Sequence, residues 1–232
     1  MQIYELYPCL QNMPFHLDFS TPHSTVLFWK YDDKSDEFDH NALIEPENFQ
    51  RIEHYHPKKL SEYLMVRRLL KMVLPNHKIL YKTIGQPYLH PKDAFISITH
   101  SFPFAALAVS NKRVGIDIEK IMPKILKIKE KFLHDSEHQW TQNENEVEWL
   151  TVIWVIKEAL YKLHPSKYWS LKKHYRVEPF SLEDTSAICC SVFDEQFTDS
   201  YNAKVVRMGE YYFALVEEHH VLNFKISSGS LF

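Results

Sequence analysis

The apolar positions of this chain fall into short alternating or continuous runs, which predict strands, and into stretches of helical spacing. Strand-like runs stand at 25–29, 94–98 and 105–110, and an acidic strand follows at 114–119. A helix is expected over 61–73, ended before Pro75, while 79–93 reads as turns punctuated by Gly85, Pro87 and Pro91. In the second half one helix falls within 121–132, another begins near Ser136, and a third carries Trp154. Strands then follow at 174–177, 187–193, 203–207 and 211–216, the last two joined as a hairpin across Met208 and Gly209. Helix followed by strands in each half predicts an α+β chain, with no residue-level repeat legible.

Two of these elements carry chemistry. In the acidic strand Val114, Ile116 and Ile118 alternate with Gly115, Asp117 and Glu119, so Asp117 and Glu119 project from the same side. Neighbouring carboxylates repel unless water screens them or a cation neutralises them, and an oxygen-only pair suits a hard ion such as Mg²⁺. For the pair alone, a solvated strand end is the simpler account.

The helix around Trp154 changes that balance. At about 100° per residue, Trp149, Val152, Ile153, Ile156, Ala159, Leu160 and Leu163 form one broad apolar face. Glu158 lies almost opposite its centre, with Trp154 one turn before and Lys162 one turn after. A solvated face has little use for Trp154 and Tyr161 beside those charges. A helix covered on both sides is expected, with Glu158 and Lys162 facing a cleft or held in a buried ion pair.

Together these residues resemble a known family. Gly115-Ile116-Asp117-Ile118-Glu119 and Trp154-Val155-Ile156-Lys157-Glu158-Ala159-Leu160-Tyr161-Lys162 match the paired motifs of 4′-phosphopantetheinyl transferases of the surfactin-synthetase-activating type. Further signposts stand in order: the basic helix Tyr63–Lys71, Gly85-Gln86-Pro87, Thr99-His100-Ser101, and Lys131-Phe132-Leu133 with Glu137 beyond. The likeness runs from about residue 50 to about residue 165. There are two departures: Gln86 replaces the lysine of a Gly-Lys-Pro segment, and Glu62 stands where many relatives carry Arg.

The resemblance implies two similar α+β lobes about a pseudo-twofold axis, residues 1–112 and 113–232, with the active site in the cleft between them. It implies transfer of 4′-phosphopantetheine from coenzyme A to a serine of an apo acyl or peptidyl carrier protein, with release of 3′,5′-ADP. By the same resemblance Asp117, Glu119 and Glu158 hold Mg²⁺. Lys162 then steadies the pyrophosphate, Lys157 contacts phosphate or serine, and Glu158 is the first candidate for the base. His100 is the expected 3′-phosphate contact, and Thr99 is expected among the cofactor-binding residues. Gly85, Gln86 and Pro87 would shape the nucleotide pocket, and Arg51, Arg67 and Lys71, with Arg68, form the remaining basic supply.

Composition narrows the alternatives. With 232 residues, 45% hydrophobic, the chain can bury a substantial core. A net charge of −3 argues against nucleic acid as the main partner. No leader pattern or apolar run of about 18 residues appears, so a cytoplasmic protein without membrane contact is expected. The resemblance implies action, as a monomer, on carriers of fatty-acid, polyketide or nonribosomal-peptide synthesis. Cys9, Cys189 and Cys190 predict reduced thiols. A zinc peptidase using His134, Glu137 and His138 would need His134 inside a helix, whereas Asp135 and Ser136 read as N-cap residues. The acidic loop Asp32–Asp39 reads as solvated, and a non-catalytic relative binding carrier or coenzyme A is the remaining alternative.

Overall fold

In the computed structural model, which describes residues 19–31, 43–83, 85–142 and 144–218, the first apolar run forms β1 (Ser24–Lys30). Cys9 and the acidic loop lie outside the described residues. After a 3-10 turn at Pro46–Asn48 come α1 (Phe49–Ile52) and α2 (Pro57–Val73). α2 begins four residues earlier than expected because Pro57 is pre-set for a first helical turn and His56 caps it, accepting from Lys58 N at 3.3 Å.

The turn-rich stretch proves to be a hairpin. β2 (Lys78–Tyr81) and β3 (Pro87–His90) pair antiparallel around a turn in which Gly85 adopts φ +84°. Pro87 is tolerated as the first residue of its strand, and Gly85 supplies the left-handed backbone the turn needs. β4 (Phe95–Ser101), β5 (Phe104–Ser110) and β6 (Val114–Lys120) follow, and β4 extends past the expected end to include His100.

Residues 121–132 do not form one helix. Pro123 opens a 3-10 turn to Lys127, and only Lys129–Phe132 is α-helical (α3). A 3-10 turn at Asp135–Glu137 leads into α4 (His138–Thr141), then α5 (Glu146–Leu163) and α6 (Leu171–His174). The remaining strands are β7 (Tyr175–Val177), β8 (Ile188–Phe193), β9 (Thr198–Met208) and β10 (Tyr211–Glu217). β9 and β10 form the expected hairpin, with Met208 opposite Tyr211 and Gly209 at φ +62° in the turn.

The strands make a three-stranded antiparallel sheet, β1-β5-β4, a five-stranded antiparallel sheet, β6-β10-β9-β8-β7, and the β2-β3 hairpin. Alternation assigns each face its neighbour. Leu27, Trp29, Ala105 and Leu107 meet Met65, Val66, Leu69 and Leu70 of α2. On the other face Val26, Phe28, Ala106 and Ala108 meet Ile116, Ile118, Phe213 and Leu215 of the larger sheet. The far side of that sheet is covered by α5, whose Val152, Ile156, Ala159 and Leu160 lie among Val177, Val192, Ala214 and Val216. The chain is therefore α+β, as expected. Among the described residues, no helix is long and apolar enough to cross a membrane.

Candidate active site

The two sheets meet along β4 and β6 through side chains instead of a backbone ladder. Ile116 N donates to Ser97 Oγ at 3.0 Å, and Ile118 N donates to Thr99 Oγ1 at 3.1 Å. Thr99 Oγ1 in turn donates to Asp117 Oδ1 at 2.9 Å. One threonine thus both satisfies a buried amide of β6 and orients its carboxylate. Thr99 was expected to touch cofactor phosphate, yet its hydroxyl is already committed to Asp117 and Ile118.

α5 closes over β6 from the other side, and glycine permits it. A Cβ on Gly115 would stand 1.9 Å from the carbonyl oxygen of Ala159, so any other residue forces helix and strand apart. That close approach brings Trp154, Glu158 and Lys162, one turn apart along α5, against Asp117 and Glu119. Trp154 Nε1 donates to Glu119 Oε1 at 3.3 Å. Lys162 Nζ reaches Asp117 Oδ1 at 2.7 Å and Ile116 O at 3.0 Å. Burial on both sides of α5 follows the sequence reading; only its Trp154-Glu158-Lys162 stripe and Tyr161 remain open along this stretch.

Three acids and one lysine leave the cluster with surplus negative charge. Burial, then the Asp117 carboxylate, pushes Glu158 up to about 7. The same two causes, in the same order, raise Glu119, although Trp154 partly offsets them. Asp117 Oδ2 is buried with no hydrogen-bond partner. A buried, unpaired carboxylate oxygen beside two further acids is a costly arrangement that a divalent cation would relieve. The all-oxygen donor set fits such an ion. Among the described residues, no three His, Cys, Asp or Glu side chains converge on one point as they stand, and Lys162 holds one oxygen of Asp117.

Around this cluster lie three hollows of about 220, 350 and 370 Å³, and Lys162 lines all of them. Gly85, Gln86 and Pro87 wall the first, with Tyr161 and Lys167 opposite. His100, Thr99, Asp117, Arg51 and Arg67 line the largest, together with Glu62. The guanidinium carbon of Arg51 stands 4.0 Å from the centre of the Tyr81 ring. Arg67 is buried and already engaged, with Glu45 at 3.4 Å, the Tyr81 hydroxyl at 3.2 Å and the Tyr63 ring at 3.4 Å, so it shapes the hollow without being free to bind.

Two expected cofactor or catalytic residues face elsewhere. Lys71 Nζ donates to the carbonyls of Pro75 and His77, closing the C-terminus of α2. Lys157, expected at phosphate or serine, is fully buried on the opposite side of α5. It donates at 2.7 Å to both Glu137 Oε2 and Phe132 O. Five residues separate Lys157 from Lys162, which turns them roughly 140° apart around the helix. Arg68 sits over Trp29 at 5.2 Å, outside the hollows.

The zinc reading fails on geometry. His134 is the N-cap of the 3-10 turn, not a helical residue, and Glu137 is locked in a capping box and the Lys157 ion pair. His138 pairs with Glu130 at 3.7 Å. Cys189 is exposed and Cys190 buried, both free thiols. Sequence reasoning passed over Lys167, whose Nζ caps the last carbonyls of α5 at Tyr161 and Lys162; its signal was weak, since a lysine at φ +50° is not foreseeable from composition. It also treated Glu62 only as a departure, although Val66 and Leu69 mark the same inward face of α2 at helical spacing.

The α+β scaffold thus places three carboxylates and a lysine at the meeting of β6 and α5, beside three hollows that Lys162 lines. Residues 113–216 match the model of the 4′-phosphopantetheinyl transferase superfamily. The chain is 31% identical over 164 residues to the 4′-phosphopantetheinyl transferase gsp of Aneurinibacillus migulanus, covering 59% of this chain and 69% of that protein. It is 30% identical over 82 residues to a 4′-phosphopantetheinyl transferase of Bacillus subtilis, covering 34% of this chain and 37% of the relative. The chain belongs to the 4′-phosphopantetheinyl transferase superfamily, and its general activity is that of a transferase of phosphopantetheinyl groups.

Proposed function

We propose that this chain moves 4′-phosphopantetheine from coenzyme A to a serine hydroxyl of an apo acyl or peptidyl carrier protein. The serine oxygen forms a bond to the pantetheine-bearing phosphorus as the bond to the leaving 3′,5′-ADP breaks. Residues 1–112 and 113–232 act as two lobes of one monomer, working in the cytosol, with the donor held between them. The observation that carries this reading is the orphaned Asp117 Oδ2 beside Glu119 and Glu158, at the meeting of β6 and α5.

Asp117, Glu119 and Glu158 would hold Mg²⁺. When bound, that ion supplies positive charge to the pyrophosphate as negative charge grows on the leaving group. Lys162 supplies the second positive charge from the chain itself. Its side chain lines all three hollows, and its Nζ exchanges Asp117 for a phosphate oxygen. Glu158 takes the serine proton, directly or through a water, as the carboxylate that α5 places beside Asp117 and Glu119. His100 and Arg51 face the nucleotide end, where a 3′-phosphate needs donors. Gly85, Gln86 and Pro87 wall the hollow that runs past Lys162.

The direct test incubates the full chain with Mg²⁺, coenzyme A and a panel of apo carriers from fatty-acid, polyketide and peptide synthesis, then weighs each carrier. A phosphopantetheine adduct on at least one is expected. Unmodified carriers throughout would overturn the proposal.

A further inference from the structure

A buried carboxylate inside a hollow meant for an anion needs an explanation. Glu62, on α2, is 8% exposed and lines the same hollow as Arg51, Lys59, His100 and Asp117. Left alone it would repel any phosphate that entered. Its Oε2 instead stands 3.2 Å from Nδ1 of His100, whose side chain is 47% exposed. Ile96, Ile98 and His100 share the face of β4 turned toward α2, opposite the Ser97-Thr99 face that serves β6, so the strand's alternation aims His100 at Glu62.

A carboxylate can only accept, so the imidazole nitrogen it touches carries the hydrogen. The ring is then fixed by its Nδ1 edge, and Nε2 is the edge left for the hollow. On the reading of coenzyme A as donor, we propose that Glu62 is a positioning residue for the 3′-phosphate. It holds His100 through Nδ1–H so that, with the ring carrying a hydrogen on each nitrogen when the phosphate is bound, Nε2–H donates to a phosphate oxygen, while Glu62's own charge is turned onto the imidazole and away from the ligand. The pair works as a second-layer contact of the kind that orients histidines at metal centres, here serving an anion.

The test is calorimetric binding of coenzyme A and of dephospho-coenzyme A to the full chain in Mg²⁺, which needs no turnover. Wild-type protein is expected to prefer coenzyme A. Glu62→Ala should shrink that preference about tenfold, the loss expected of one charge-assisted hydrogen bond, with dephospho-coenzyme A binding within about twofold of wild type. Glu62→Gln keeps an accepting oxygen and the side chain's shape, so it should restore part of the preference. Added to His100→Ala, Glu62→Ala should do nothing further. An unchanged ratio in Glu62→Ala, or tighter coenzyme A binding in either variant, would overturn the inference while leaving the donor assignment intact. Failure of wild-type protein to bind either ligand would sink the donor assignment, and this inference with it.

Discussion

α5 carries two lysine–carboxylate pairs of the same length that do opposite things. Lys157 and Glu137 meet at 2.7 Å with both side chains fully buried, and the remaining oxygen of Glu137 accepts from Val177 N at 2.7 Å. Lys162 and Asp117 also meet at 2.7 Å, yet the lysine is 28% exposed and the aspartate keeps one oxygen without a partner. The first pair is sealed: with Phe132 and His134 it stitches the 132–137 turn, α5 and β7 together. The second is unsaturated and sits in surplus negative charge. A pair sealed from solvent, with both carboxylate oxygens engaged, has nothing to offer a substrate, whereas one with an orphaned oxygen and a solvent-reachable cation can exchange partners.

That contrast is broken most sharply at the open end. Glu158→Gln should lower carrier modification by about 10³-fold, read by mass spectrometry, while its melting temperature holds or rises because a repelling charge has gone. Wild-type turnover in this variant would remove Glu158 from the chemistry. Lys157→Met should do the reverse. It strands Glu137 as a buried, uncompensated charge and costs about 3–5 kcal/mol of stability in a urea titration. Lys162→Met should lose turnover and destabilise less than Lys157→Met, since its lysine is partly open to water while Lys157 is sealed. Equal destabilisation by the two lysine changes would erase the distinction drawn here.

Gly115→Ala tests the close approach that creates the open pair. With its Cβ placed 1.9 Å from Ala159 O, it should cost about 3 kcal/mol and lower turnover at temperatures where the protein is still folded. The smallest expected effect concerns pH. Glu158 and Glu119 both bind protons more readily folded than unfolded, so in EDTA the folded state should lose stability as pH rises from about 4.5 through about 7. Millimolar Mg²⁺ should flatten that slope in thermal melts. A slope of the opposite sign, or one indifferent to the ion, would contradict the electrostatics of the site.

Much of this was legible in the residues. Period-two alternation put Asp117 and Glu119 on one side of β6, and helical spacing put Trp154, Glu158 and Lys162 on one stripe of α5. What misled was adjacency. Lys157 stands beside Glu158 in the chain, but one residue along a helix is a turn of about 100°, enough to send it to the far side. Thr99 and Lys71 carry suitable chemistry, yet β6 and the end of α2 claim their polar groups first. The stretch 79–93 was read as turns because its strands are only four residues each, too short for alternation to register.

The sequence by itself determined the α+β class, the acidic strand, the covered helix and the pairing of carboxylates with lysine, because these depend on local period and residue type. Which lysine is sealed and which is open was decided only by tertiary structure. So were the 3.2 Å approach of Glu62 to His100 and the contact of Gly115 with Ala159. Each depends on how far apart two distant backbones lie, and that distance is set by the packing of whole elements against one another.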